Sequence, residues 1–309
     1  MIEGQEGVFW QEWLAIAETA ERSGFDALFR SDHYLSVMGG EPRESLDAWT
    51  TLAALAARTH RIRLGTLVSP VTFRHPAVIA KSVATVDHVS GGRVELGLGT
   101  GWNEREHAAF GFPFPSMPER MEHLEEQVEV VVRLWTEESA SFAGRHYRLD
   151  DVAALPRPVQ QPRPPLVLGG AAGPRAAALA ARFADEYNTF MSSPDEVVER
   201  RRRILEACER AGRDPATMRF SLMTPCCVGE DAESVLERAR RIMRKLGADG
   251  DPAAFLDEHR DRWIVGTVDE AAARLEELAA LGLARVYLQH LAHDDVEAIE
   301  LLASLRRRS

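Results

Sequence analysis

His33 closes the segment Ser31-Asp32-His33, which follows the short apolar run 27–29. An imidazole titrates near neutral pH and can give or take a proton beside a carbon where a hydride leaves or arrives. The segment is therefore a candidate for acid/base work. A second stretch, GRVELGLGTGW at 92–102, resembles a nucleotide-binding glycine loop. The dinucleotide fingerprint needs a third glycine at a strand-to-helix turn. Trp102 stands at that position, and the helical pattern resumes only near Glu119. The fingerprint fails, and 93–99 reads instead as a core strand. Gly97, Gly99 and Gly101 at its end would present bare backbone to a flat ligand, or else relieve crowding inside a narrow barrel. A third stretch, Gly169-Gly170-Ala171 ahead of Pro174, places exposed amides before a helix whose first turn carries Arg175. Amides at a helix start attract anions, so this is a candidate phosphate site. His290 and His293, with Asp32-His33 and Asp87-His88, show neither H-x-H nor H-E-x-x-H spacing, and no metal is expected there.

These residues must be positioned by a recurring pattern. Trp13, Ile16, Ala17 and Ala20 stripe a helix ending at Ser23-Gly24, and a strand follows at 27–29. Helices near 45–58 and 76–89 precede strands at 61–68 and 93–99; Leu124, Val128, Val131 and Trp135 stripe another helix. Further strands fall at 165–170, 185–190, 219–228 and 285–290. Such alternation implies a parallel sheet covered by helices. Loops entering the strands are terse, while loops leaving them are rich in polar residues, glycine and proline: SDHY, SPVTFRHP, GTGWNEREHAAFGFPFPSMP, GGAAGPR. Chemistry at so many strand exits favours a closed (β/α)₈ barrel over an open sheet, which would gather its site at one switch point. Residues 1–309 then form one barrel domain, as no linker divides them.

With 37 Lys and Arg against 48 Asp and Glu, the net charge is −11, which argues against nucleic acid or anionic membrane as partner. Cys208, Cys226 and Cys227 have no paired spacing and read as reduced apolar fillers. No apolar run approaches the roughly 18 residues of a membrane span, and the first residues lack a leader pattern. A cytoplasmic protein is expected.

GFDALFRSDHY (24–34), LGTLVSPVTFRHPAVIAKSVATVDHVSGGRVELGLGTGWNEREHAAFG (64–111) and LVLGGAAGPRAAALAARFADEYN (166–188) resemble the luciferase-like monooxygenase superfamily, in particular its branch using coenzyme F420, a 5-deazaflavin. The resemblance implies a TIM barrel with an insertion near the seventh strand. It implies an oxidoreductase moving a hydride between cofactor and a small organic molecule, with His33 as acid/base. Asp32, Thr100, Gly101 and Asn103 would lie at the cofactor ring, and Gly169, Gly170, Ala171 and Arg175 at its phosphate. GTLVSP matches the strand end where relatives carry a non-prolyl cis peptide behind the ring, which falls between Leu67 and Val68. A homodimer and a separate reductase for cofactor recycling are further implications. An FMN-dependent two-component monooxygenase shares the fold and the phosphate site and stays open, as does a barrel that binds ligand without turnover.

Two departures from the family pattern shape the reading. Relatives that oxidise a sugar phosphate tend to carry a glutamate directly after G-T-G; Trp102 stands there, and an indole suggests an apolar substrate wall. Phe110 and Phe112, in a lid-like loop, would add to that pocket, while Glu104 and Glu106 read as solvated loop charges. The first strand is also short: MIEGQEG leaves it two or three residues, so strand 1 looks truncated. A missing barrel strand exposes two edges, which suggests a longer natural product or a strand supplied otherwise. Gln5 and Glu6, at that strand's end, would face the site.

Overall fold

Among the described residues, seven strands run parallel in one continuous path, each delivered by the helix before it. The computed structural model describes residues 1–38 and 41–307. Helix α1 (Trp10–Arg22) leads to β1 (Ala27–Arg30), α2 (Ala48–Arg58) to β2 (Arg63–Thr66), and α3 (Pro76–Ser90) to β4 (Val94–Gly99). The two-residue β3 (Ser69–Pro70) pairs with the end of β4. Helices α4 (Glu104–Phe110) and α5 (Met117–Thr136) and the hairpin β5 (Ala140–Ala143)–β6 (Arg148–Val152) precede β7 (Leu166–Gly169). Helix α6 (Pro174–Phe183) leads to β8 (Glu186–Phe190), and α7 (Pro194–Arg210) to β9 (Arg219–Gly229). After α8 (Ala232–Leu246), α9 (Pro252–His259), β10 (Ile264–Thr267) and α10 (Val268–Ala280) come β11 (Arg285–Gln289) and α11 (Val296–Ala303). The parallel path is β1-β2-β4-β7-β8-β9-β11.

Residues 1–3 close the ring. The Met1 ammonium donates to the Leu288 carbonyl at 2.9 Å, and His290 N–H to the Met1 carbonyl at 3.0 Å. On the other side Ile2 N–H donates to Phe29 and Ser31 N–H to Ile2. Met1 therefore pairs with one neighbour and Ile2 with the other, and the exposed edges expected from a short first strand do not form. With this segment counted first, eight strands make the (β/α)₈ barrel. β9 is then the seventh, and α8, α9 and β10 are the insertion, β10 pairing with the far end of β9.

Local sequence explains the boundaries. Pro76, Pro174 and Pro194 stand in the first turns of α3, α6 and α7, where a missing N–H costs nothing. Thr267 and Glu270 form the capping box of α10. The Leu124, Val128, Val131 and Trp135 stripe of α5 is buried. In the lumen, Phe29, Leu67, Val167 and Tyr287 form a small apolar plug, Phe29 meeting Tyr287 edge-on at 4.9 Å. Below it, at the strand starts, Arg285 pairs with Glu95 and Glu186.

One expectation fails here, and one of two open readings gains support. The strand expected over 61–68 stops at Thr66, where the chain bulges through a cis Leu67–Val68 peptide. Gly97 and Gly99 face that bulge rather than open space. A Cβ on Gly97 would overlap the Thr66 carbonyl, and one on Gly99 would lie 2.6 Å from Val68 Cγ2. These two glycines relieve crowding between neighbouring strands.

Candidate active site

The exit of β4 is a short helix rather than the long loop its sequence suggested. Asn103 caps α4 through its side chain, which accepts from the Glu106 amide. Asn103 with Glu106 three residues later is the pattern of a helix start. That signal was legible, and it would have placed Glu106 on an ordered turn. The side chain of Glu106 is fully buried, so the reading of it as a solvated loop charge is overturned. Its carboxylate accepts from the Tyr34 and Leu35 amides and meets His33 Nδ1 at 2.7 Å.

Glu106 and His33 are electrostatically linked. Burial disfavours the imidazolium, but the hydrogen bond and charge of Glu106 outweigh it and raise the His33 pKa. Burial likewise opposes the Glu106 carboxylate, and His33 with the two amides more than offsets this, lowering its pKa. With Nδ1 held, Nε2 of His33 is left for a reacting group. Trp102 stands edge-on to the imidazole, centroids 5.6 Å apart, and is 64% exposed. A proton-transfer group thus sits against an open apolar face.

Around this pair the strand tips interlock. The Asp32 carboxylate is taken by Arg74, with contacts of 2.5 and 3.2 Å, and by the Ser69 hydroxyl. It therefore offers only backbone groups to a ligand. His107 donates from Nδ1 to the Asn103 carbonyl and accepts the Thr72 hydroxyl at Nε2, tying α4 to the segment after β3. The register Leu98↔Leu168 sets Gly99 beside Gly169. Gly101 and Gly170 have positive φ, 77° and 142°, conformations open to glycine. Below lies a buried polar network: Gln5 and Gln289 both donate to Glu3, and Ser31 donates to Gln5.

The family model for luciferase-like monooxygenases matches residues 3–285. The chain belongs to the luciferase-like monooxygenase family. An F420-dependent glucose-6-phosphate dehydrogenase from Microbacterium testaceum is 32% identical, covering 96% of this chain and 94% of the relative. An F420-dependent hydroxymycolic acid dehydrogenase from Mycobacterium tuberculosis is 33% identical over 71% of this chain and 59% of the relative. A solved monooxygenase from Streptomyces bottropensis superposes with a TM-score of 0.82 at 29% identity, covering 96% and 92% of the two chains.

In this family member the structure brings some sequence-derived candidates together and separates others. His33, Trp102 and the Leu67–Val68 bulge lie at adjoining strand exits. Phe110 and Phe112 instead stack with each other and on Tyr34, at 5.5 and 5.8 Å; Phe110 is half exposed. Gly169, Gly170 and Ala171 precede α6, whose N-cap Gly173 provides no side-chain cap, leaving first-turn amides for an anion. Arg175 is in that turn, but its guanidinium is paired with Glu125 at 2.7 and 3.0 Å. Gln5 lies within the buried network, and Glu6 binds Arg43 and the Val37 and Met38 amides rather than facing the site. His290 is buried against the Asp295 carbonyl, and burial pushes its pKa down to about 4. Cys208, Cys226 and Cys227 are buried free thiols. Among the described residues, no helix is long and apolar enough to cross a membrane.

Proposed function

We propose that this protein is an F420-dependent oxidoreductase acting on an apolar organic molecule that carries a hydroxyl or carbonyl group. The observation that carries the chemistry is the buried Glu106–His33 pair beside exposed Trp102. The cofactor assignment is supported by the F420-dependent dehydrogenases among its relatives. The residues present fit such a group. The uncapped start of α6 beside Gly169–Ala171 suits a phosphate. The backbone of Asp32, Val68, Thr100, Gly101 and Asn103 would flank the ring. When bound, a 5-deazaflavin supplies two-electron hydride chemistry.

The chain's own contribution is positioning and proton management. Glu106 holds His33 by Nδ1, so Nε2 takes a proton from a substrate hydroxyl or returns one to a carbonyl. The Asp32–Arg74 pair fixes the backbone on which His33 sits. Trp102 presents an exposed indole edge-on to His33, which favours an apolar substrate body.

Titration with F420 and with FMN, read by fluorescence quenching, tests the cofactor; F420 should bind and FMN should not. Turnover with F420 is then compared between apolar secondary alcohols and glucose 6-phosphate. Oxidation of glucose 6-phosphate alone would overturn the substrate assignment, and tight FMN binding with oxygen consumption would overturn the cofactor.

A further inference from the structure

We propose that Glu119, His123 and His146 form a binding site for a divalent transition-metal cation, which clips the β5–β6 hairpin to helix α5. Glu119 and His123 stand at i and i+4 on the first turns of α5, one above the other on the same face. His146 comes from the tip between β5 and β6. One ligand atom from each of the three lies within 4.8 Å of the others. A tetrahedral site with bonds of about 2.0–2.1 Å places its ligand atoms roughly 3.4 Å apart. Side-chain rotation of about an ångström closes the difference.

The two imidazoles lie 3.8 Å apart between centroids, closer than the roughly 5 Å of two rings on one tetrahedral ion, so a bound ion swings them apart. Two features prepare this constellation. Each imidazole has one ring nitrogen already engaged: His123 Nδ1 with the Tyr147 hydroxyl at 3.2 Å, and His146 Nε2 with Glu122 at 3.2 Å. A carboxylate can only accept, so Glu122 fixes the Nε2–H form of His146 and leaves the Nδ1 lone pair for a cation. Metal-binding histidines are oriented in this way by neighbouring groups. Finally, Glu126 accepts three consecutive amides, from Arg145, His146 and Tyr147, at 2.7, 2.9 and 3.0 Å. The backbone that carries His146 is thereby held to α5 before any ion arrives.

Two imidazoles and a carboxylate suit zinc, cobalt or nickel rather than calcium or magnesium, which prefer oxygen donors alone. Water would fill the remaining coordination position, since the three side chains are part-exposed. The site adjoins the cleft lined by Thr72, Phe73, Arg74 and His75, and so abuts the outer side of the segment that holds Asp32.

Calorimetric titration of the tag-free protein with Zn²⁺, Co²⁺ and Ca²⁺, alongside thermal unfolding at saturating metal, tests the proposal. One site per chain is expected, with a Tm that rises as metal is added, because a cation bound only to the folded state stabilises it. His123→Ala and His146→Ala should each weaken that site at least tenfold, and Glu119→Gln should weaken it with little change in shape. Tighter binding of Ca²⁺ than Zn²⁺, absence of the site, or a site that survives in both histidine variants would overturn it.

Discussion

Nδ1 of His33 lies 2.7 Å from a carboxylate oxygen of Glu106 that originates 73 residues later in the chain. The contact converts a rim histidine into a base with a fixed orientation and a raised pKa. Replacing His33 by alanine should lower kcat by about 10²–10⁴-fold, the usual range for a positioned acid/base group. In the oxidative direction the base must be neutral, so kcat/KM should rise with pH through the elevated pKa. Glu106→Gln removes the charge that elevates it and should move this limb to lower pH as well as slow turnover. A limb that stays in place would reduce Glu106 to a structural part.

The same pair should leave a mark on stability. His33 has a raised pKa, so its contribution is complete below its ordinary 6.5 and fades as pH rises through the folded value. Glu106 has a lowered pKa, so its contribution is complete above its ordinary 4.5 and is lost as pH falls through the depressed value. The interaction is therefore fullest between 4.5 and 6.5. Urea unfolding across pH should show Glu106→Gln costing most in that window and less at pH 9.

Gly97→Ala tests why β4 is glycine-rich. The added methyl would overlap the Thr66 carbonyl oxygen, a backbone atom that cannot swing aside. Overpacking of this kind costs about 1–3 kcal/mol. The Tm should fall by a few degrees in thermal scans. An unchanged Tm would mean the strands have more slack than the contact indicates.

The barrel was legible because alternation of apolar strands with amphipathic helices, and polar exits against terse entries, are local patterns. The closure by Met1 and Ile2 is harder to read: two residues carry too little periodicity to register as a strand, yet they suffice to pair both neighbours. Glu106 was misread for a related reason. Its helix has only seven residues, too few to show an apolar stripe, and its partner His33 is remote in sequence. For Gly97 and Gly99 the sequence leaves two readings open, because it shows a missing side chain but not what occupies the vacated space.

Gly173→Asp separates helix capping from anion binding at α6. Gly173 is extended (φ −64°, ψ 161°), and a Cβ there meets nothing within 4 Å. An aspartate can adopt this N-cap geometry and bond the first-turn amides, gaining a few tenths of a kcal/mol over glycine. The same carboxylate would occupy and repel the phosphate position. Stability should hold or rise slightly while F420 affinity falls at least tenfold. Unaltered affinity would place the phosphate elsewhere.

Arg285→Met probes the charged floor of the barrel. Arg285 lies 2.9 Å from Glu95 and 3.4 Å from Glu186, both carboxylates fully buried. Removing one partner of a buried pair costs about 3–5 kcal/mol because the remaining charge is stranded. Arg63 stays beside Glu95, and Arg219 at 3.7 Å from Glu186, so the lower end of that range applies. At roughly 1.5 °C per kcal/mol for a chain of this length, the Tm should drop by about 5 °C. Burial works against the Glu95 carboxylate, but Arg285 and Arg63 together lower its pKa. Its share of stability is thus present above 4.5 and lost as pH falls through the depressed value. The variant should accordingly lose less on acidification than the parent does, in thermal scans at pH 7 and pH 3.5. Because this layer lies at the strand starts, away from His33, kcat of the folded variant at low temperature should stay within twofold of the parent.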